Sequence, residues 1–516
     1  MKYLAPFVAL ACTLAACSSP GSSPTPAPTG STTPAFVPGP CPTTPERIAA
    51  LRKARCGRLI VPEDRRHPNG RTIGLSVAII PAASSPKKAD PIVWLAGGPG
   101  DDAIIEIPLA LAGRLNADRD VIFMSQRGTY TADPKLTCDS VDRWPAETLN
   151  MPYDDAATGH AYAVATQTCR RELERIADLG AYNTLESSDD LEALRLALHV
   201  AKWNIYGISY GTDLALTYMR MHPSGIRSVG IDGVFPPPLG GGVASWASAS
   251  EGINAVFNAC EAQSACHRRY GNIAATWQRL VNKYEASPTS FKVAVPGHSG
   301  KVSVMISGGM LVQWAVSPGT HIAGKMPASI DALANGNPGP IASTWAQPKL
   351  DPAGIGVLGN GLFSGVSCGE WVPYETAADV INAGRRAFPM FSLSIWRNAP
   401  NLPFMRQNCA VWNVPEVAPE VRDVTHSAIP TLVVNSQYDA QTAASFGSLV
   451  ARTLRNATVV TIPNVAHVAY GSPSPAANAC AHSIVRSYFD VLGRVDTSCI
   501  KTIPPTKFKI TPRPAR

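Results

Sequence analysis

Gly207-Ile208-Ser209-Tyr210-Gly211 constrains the fold of this chain more than any other stretch. It follows the apolar run Trp203 to Tyr206 and precedes the helix-prone Thr212-Asp213-Leu214-Ala215-Leu216, so it reads as strand, tight turn, helix. The turn is sharp enough that side chains on either side of the serine would collide with the neighbouring strand and helix, hence the two glycines. Ser209 then stands exposed at a helix N-terminus, where a nucleophile belongs.

A serine hydroxyl is a weak nucleophile at neutral pH, so it needs a base, and the base needs a carboxylate to hold its tautomer. The run Thr431-Leu432-Val433-Val434 leads into Asn435-Ser436-Gln437-Tyr438-Asp439, placing Asp439 beyond a strand end. Thr458 to Ile462 leads through Pro463-Asn464-Val465-Ala466 to His467. One strand-helix-strand connection fits between the two. His426 and His482 are rival bases, but neither follows a strand in this way. Oxyanion donors are expected from Gly98, in Gly97-Gly98-Pro99-Gly100 after the run Ile92 to Leu95, and from Tyr210, the residue after the serine.

The rest of the chain fits an α/β sheet. Short apolar runs at Leu75 to Ile80, Pro91 to Leu95, Val121 to Met124 and Val229 to Ile231 alternate with helical stretches. Ser187 and Asp190 suggest a box-like helix start, with Leu191, Leu194 and Leu198 on one face. Pro236-Pro237-Pro238 and Gly240-Gly241-Gly242 break the rhythm, which resumes at Thr431. At 516 residues the chain has room for a split body and an insertion. The expected division is 41–239 for the first part of the body, 240–422 for a cap, and 423–516 for the second part.

The first residues read as an export signal: Lys2 precedes an apolar run from Leu4 to Ala16, too short to span a membrane permanently. Leu14-Ala15-Ala16-Cys17 resembles the lipobox of bacterial lipoproteins, so residues 1–17 are expected to direct lipidation of Cys17. Residues 18–40, rich in Ser, Pro, Thr and Gly, are expected to form a flexible tether. Removing Cys12 and Cys17 from the twelve cysteines leaves an even set suited to an oxidising compartment. Sequence does not fix connectivity, but closeness suggests Cys41 with Cys56, Cys138 with Cys169, Cys260 with Cys266, Cys368 with Cys409 and Cys480 with Cys499. Zinc is disfavoured, since no paired C-x-x-C sets occur. The net charge of +7 is scattered apart from a tail with Lys501, Lys507, Lys509, Arg513 and Arg516, which reads as solvated, and nucleic acid is not expected.

With these residues assembled, the chain resembles the tripeptidyl aminopeptidase and proline iminopeptidase branch of the α/β hydrolases. The features that carry the resemblance are Cys56-Gly57-Arg58-Leu59-Ile60-Val61-Pro62-Glu63-Asp64, Gly97-Gly98-Pro99-Gly100, Gln126-Arg127-Gly128, the Gly207 to Gly211 turn, Tyr438-Asp439 and Ala466-His467. The resemblance implies an α/β-hydrolase sheet with helices on both faces and an inserted, mainly helical cap. It also implies hydrolysis through an acyl-enzyme and aminopeptidase activity, the removal of single residues or short peptides from free N-termini, with no metal or organic cofactor.

Two departures bear on substrate selection: Ser125 stands where the family has Asp before Gln-Arg-Gly, and Asp101-Asp102 follow Gly100 where small residues are common. Arg127 is expected to be structural. Cys368-Gly369-Glu370 resembles a cap motif with an acidic residue, which nominates Glu370 to receive a substrate ammonium group. The same triad would serve a carboxylesterase or amide hydrolase acting on small molecules, and a non-catalytic binding protein on this scaffold is the remaining reading.

Overall fold

The computed structural model describes residues 34–316 and 324–512. Cys12, Cys17, the export signal, most of the tether, Arg513 and Arg516 lie outside the described residues. The body is a nine-stranded sheet ordered β1-β2-β3-β5-β4-β6-β7-β10-β11. Its strands are β1 (Ala35–Pro38), β2 (Arg55–Pro62), β3 (Thr72–Ile80), β4 (Ile92–Leu95), β5 (Val121–Met124), β6 (Trp203–Ile208), β7 (Ile226–Asp232), β10 (Thr431–Ser436) and β11 (Ala457–Ile462). β1, β2, β3 and β5 pair antiparallel; from β5 through β4, β6, β7 and β10 to β11 all pairing is parallel.

Every residue of β4, β5, β6 and β10 is buried, as expected of parallel strands covered on both faces. One face packs Trp94, Tyr206, Tyr470 and Phe489 under the helix Pro475–Asp490. The other packs Val93, Leu95, Trp203 and Ile205 against Leu191, Leu194 and Leu214 from the helices Thr184–Ala197 and Tyr210–Met221. The first of these helices starts earlier than the sequence suggested, because the Asn183 side chain caps it by accepting from the Glu186 N–H at 2.9 Å. Ser187 and Asp190 are interior, and Asp190 is committed to Arg127.

Between β7 and β10 the chain leaves the sheet at Gly240 and returns after the turn Pro419–Arg422, with β10 laid against β7. This excursion is mostly helical, but it also holds a hairpin, β8 (Thr289–Ala294) with β9 (Lys301–Ile306), that the sequence reading missed. Its apolar cluster, with Trp246, Trp277, Trp314 and Phe388, takes in Leu149, Cys169 and Leu173. Residues 139–173, assigned to the body from sequence, therefore pack with the cap, and the Met305 N–H donates to the Leu149 carbonyl at 2.8 Å.

Two terminal expectations change. Ala35–Pro38, counted in the flexible tether, is an edge strand on β2, with the Phe36 ring so close to Gly57 that a Cβ there would lie 2.7 Å from it. The basic tail is strapped to the cap: Phe508 is buried, Tyr270 donates to the Lys509 carbonyl, and the Lys509 N–H donates to the Gly324 carbonyl. Lys501, Lys507 and Lys509 remain exposed.

Five disulfides join Cys41–Cys56, Cys138–Cys169, Cys260–Cys266, Cys368–Cys409 and Cys480–Cys499, the pairs that closeness suggested. Such bonds persist outside the reducing cytoplasm, so the folded chain is extracytoplasmic. No helix among the described residues is long and apolar enough to cross a membrane.

Candidate active site

Ser209 sits at the C-terminal end of β6 with φ 52 and ψ −125, a strained backbone for a residue with a side chain. Close approach of strand and helix explains the flanking glycines. A Cβ on Gly207 would lie 2.4 Å from the Gly211 carbonyl oxygen, and one on Gly211 would lie 2.4 Å from the Leu95 carbonyl oxygen. The turn is pinned to the next strand by the Ser209 N–H, which donates to the Asp232 carbonyl at 3.0 Å.

Asp439 follows β10 and His467 follows β11, so all three side chains project from the C-terminal edge of the parallel strands, where ligands bind in open α/β sheets. His467 Nε2 lies 2.9 Å from Ser209 Oγ, and Nδ1 lies 2.8 Å from Asp439 Oδ2. Asp439 Oδ1 accepts from the N–H groups of Gln441 and Thr442, each at 2.8 Å. Oδ2 also accepts from the Thr442 hydroxyl at 2.7 Å. Burial would raise the Asp439 carboxyl, but the His467 imidazole and the Thr442 donors outweigh it and hold it below the usual range. Burial likewise opposes the imidazolium of His467, and Asp439, helped by Asp232 and Asp101, raises its pKa above 6.5.

Sequence reasoning missed two supporting residues. Thr442, three positions after Asp439, reaches both members of the acid-base pair, with Oγ1 also 3.1 Å from His467 Nδ1. Asp232, at the end of β7, accepts from the N–H groups of Ala469 and Tyr470 at 3.0 and 2.8 Å and so fixes the loop that carries His467. Its place at a strand's C-terminal end was the available signal. Neither rival base is near: the buried His482 bonds the Tyr470 carbonyl through Nε2, and His426 is exposed.

Gly98 follows β4 with φ +101, and Tyr210 opens the helix after the serine, where first-turn N–H groups have no intrahelical acceptor. The two family departures meet behind this loop. Asp102 accepts from the Thr131 N–H at 2.7 Å and from the hydroxyls of Thr131 and Thr129, and the Ser125 hydroxyl reaches it at 3.4 Å. A carboxylate missing at position 125 is thus supplied from the opposite strand's loop. Arg127, fully buried, forms a two-pronged pair with Asp190 at 2.9 Å on each arm and donates to the Glu63 and Ala181 carbonyls, a structural role.

Glu370 departs from its expected role. It lies in the π-helical turn Ser367–Trp371, only 2% exposed, with its oxygens accepting from the Thr184 N–H and hydroxyl at 2.6 Å each. The Thr184 hydroxyl is 2.8 Å from the Tyr210 hydroxyl. Burial pushes the Glu370 carboxyl up to about 7 against the pull of Thr184 and Arg422. A buried carboxyl whose oxygens are both occupied braces the helix behind the nucleophile instead of presenting charge to a ligand. Glu375, the other cap acid, accepts from the Gly242 and Val243 N–H groups.

Comparison with known proteins agrees with this geometry. Residues 90–249 match the alpha/beta hydrolase fold family, and residues 400–499 match the family described as TAP-like protein. The chain is 23% identical over 441 residues to the serine protease Hip1 of Mycobacterium tuberculosis, covering 81% of this chain and 82% of that protein. It is 24% identical over 496 residues to a tripeptidyl aminopeptidase of Streptomyces lividans, covering 89% and 85% respectively. The chain is a serine hydrolase that belongs to the α/β-hydrolase superfamily.

Proposed function

We propose that this chain is an exopeptidase that releases residues or short peptides from free N-termini through an acyl-enzyme, with Ser209, His467 and Asp439 as its catalytic residues. The observation that carries the reading is the unbroken chain of hydrogen bonds from Ser209 Oγ through the imidazole to Asp439, in a chain resembling a tripeptidyl aminopeptidase over most of its length. His467 takes the proton of Ser209 as Oγ attacks the carbonyl carbon. Asp439 stabilises the resulting imidazolium and holds its tautomer. The N–H groups of Gly98 and Tyr210 receive the developing oxyanion. The imidazolium then protonates the departing amine, and water, activated by the same base, frees the acyl product.

Cys17 lies outside the described residues. Its lipobox-like context supports an anchor that would hold the enzyme on a cell-envelope membrane, with residues 18–34 as the spacer. The test of the activity is a set of fluorogenic amides in matched free-amine and acetylated forms, beside simple esters. Preferential turnover of free-amine amides supports the exopeptidase. Turnover of esters without free-amine peptides makes the enzyme a carboxylesterase, and failure of a fluorophosphonate to label Ser209 would leave only a binding protein.

A further inference from the structure

An exopeptidase acting on free N-termini must hold an ammonium cation at a distance from its nucleophile set by the length of the released piece, and among the described residues the site contains one acid next to the serine with no other partner. A Cβ placed on Gly97 would lie 3.0 Å from Ser209 Cβ and 3.6 Å from Asp101 Oδ2, so the nucleophile's side chain and this carboxylate converge on the same side of the Gly97 backbone. The other acids around Ser209 are committed. Asp439 and Asp232 hold the triad loops, Asp102 holds Thr129 and Thr131, and Glu106 accepts from Trp94 Nε1 at 2.6 Å. Among the described residues Asp101 has no hydrogen-bond donor to its carboxylate, and the charges it senses are those of Asp102 and His467.

Asp101 is also open to water while being surrounded by protein. Its side chain is exposed, yet desolvation, with the nearby Asp102 charge, pushes its carboxyl up to about 6. That combination belongs to a group lining a cleft, where Ser209 and His467 also keep part of their surface. Glu106 beside it is pushed up to about 8 by burial and by Asp101, so it stays protonated near neutral pH, and Asp101 carries its charge next to that of Asp102 with only the His467 imidazole to offset it. A ligand cation would relieve it.

On this basis, and resting on the exopeptidase reading above, we infer that Asp101 accepts the α-ammonium group of the residue whose carbonyl Ser209 attacks, and that the enzyme trims peptides one residue at a time. Reach sets the length of the released piece. In a single-residue acyl group the ammonium nitrogen is two bonds from the attacked carbon. In a tripeptide it lies about 7 Å further out, because each extended residue adds about 3.3 to 3.6 Å. A carboxylate that lies with the serine Cβ within 3.6 Å of one point beside Gly97 serves the first and not the second. A charged pair also rejects blocked termini, because acetylation leaves the carboxylate desolvated and unpaired.

The experiment compares the wild type with Asp101→Asn and Asp101→Ser on aminoacyl-coumarin amides, free and acetylated, and on a free-amine tripeptidyl amide. Wild type should favour the free aminoacyl amide over both others. Each substitution should reduce the ratio of kcat/KM for free over acetylated substrate by about tenfold to a hundredfold, the range for losing a hydrogen bond to a charged partner. Wild type that prefers free amines, with the ratio unchanged in both variants, overturns the assignment to Asp101 and leaves the exopeptidase reading standing. A wild type that prefers the tripeptidyl amide overturns single-residue release. No wild-type preference for free amines removes the exopeptidase reading itself, whatever the variants do.

Discussion

Thr442→Val tests whether the acid of the triad is tuned by the hydroxyl beside it. Valine keeps the shape of the side chain and removes one donor from Asp439 Oδ2, which then retains only the imidazole, while Oδ1 keeps its two backbone donors. A hydrogen bond to a charged group is worth about 1.5 to 3 kcal/mol, and with the other donors still in place the lower figure applies. That corresponds to roughly tenfold in kcat/KM. The direction of the pH effect follows from the same loss. A carboxylate with one donor fewer is more basic and holds the imidazole proton more strongly, so the pKa of His467 rises further.

In the wild type that pKa already lies above 6.5, so the active neutral imidazole is lost as pH falls through a midpoint above that value. The assay is kcat/KM against pH on the best amide substrate. Thr442→Val should show a plateau about tenfold lower and an acid limb displaced to higher pH, while Thr442→Ser, which restores the donor, should return both towards wild type. A residue that only filled space would lower the melting temperature without moving the limb. A Val variant with an unmoved limb and a plateau within twofold of wild type would refute the reasoning.

Ser209→Ala should fold and lose several orders of magnitude in rate, leaving the residual catalysis that oxyanion donors and binding supply; activity within tenfold of wild type would remove the serine from its role. Glu370→Gln should reduce turnover of free-amine and acetylated substrates alike, since its contacts run through Thr184 to Tyr210. A loss confined to free amines would return Glu370 to the role of ammonium acceptor. Cys17→Ser should move the protein from membranes to a soluble fraction, and unchanged membrane association would show that the thiol carries no anchor. Reducing agent should lower the melting temperature, because each disulfide typically contributes about 2 to 4 kcal/mol; an unchanged temperature after verified reduction would contradict that contribution.

What the sequence made legible was whatever depends on neighbours in the chain. The apolar run at Val121 to Met124 matches its strand end for end, because a strand buried on both faces is written as uninterrupted apolar residues, and the run from Thr458 falls one residue short of the edge strand β11, which mixes Thr with Val and Ile. The triad residues were found because each follows such a run. β8 and β9 were missed because they carry mixed polar and apolar residues and are partly exposed in the cap, so neither run is apolar enough to stand out. The strand at Ala35 was hidden by the Ser- and Pro-rich stretch before it.

Charge was harder to read than hydrophobicity, because the fate of a carboxylate is decided by partners far away. Glu370 is neutralised as an open anchor by Thr184, which lies 186 positions earlier, and Asp190 leaves its expected cap for Arg127, which lies 63 positions earlier. Asp101 and Asp102 are adjacent in sequence and have opposite environments, one buried among threonine donors and the other open to the cleft. No local pattern separates the two; only the return of the loop carrying Thr129 and Thr131 does.

The support of the triad divides along the same lines. The backbone carbonyl of Asp232 takes the Ser209 N–H, while its carboxylate takes the N–H groups of Ala469 and Tyr470, so one residue of β7 sets nucleophile and base relative to each other. The acid is held differently. The cap helix Gly241–Ala262 presses on its loop, with Gly252 so close that a Cβ would lie 2.6 Å from the Ala440 nitrogen, and the Ser248 hydroxyl accepts from the Ala443 N–H at 3.0 Å. Any shift of that helix therefore reaches the triad first through the Asp439 loop, while the contact between Ser209 and His467 is secured within the sheet. The three residues read from sequence as one unit are held by two parts of the molecule, and the bond from His467 to Asp439 is the seam between them.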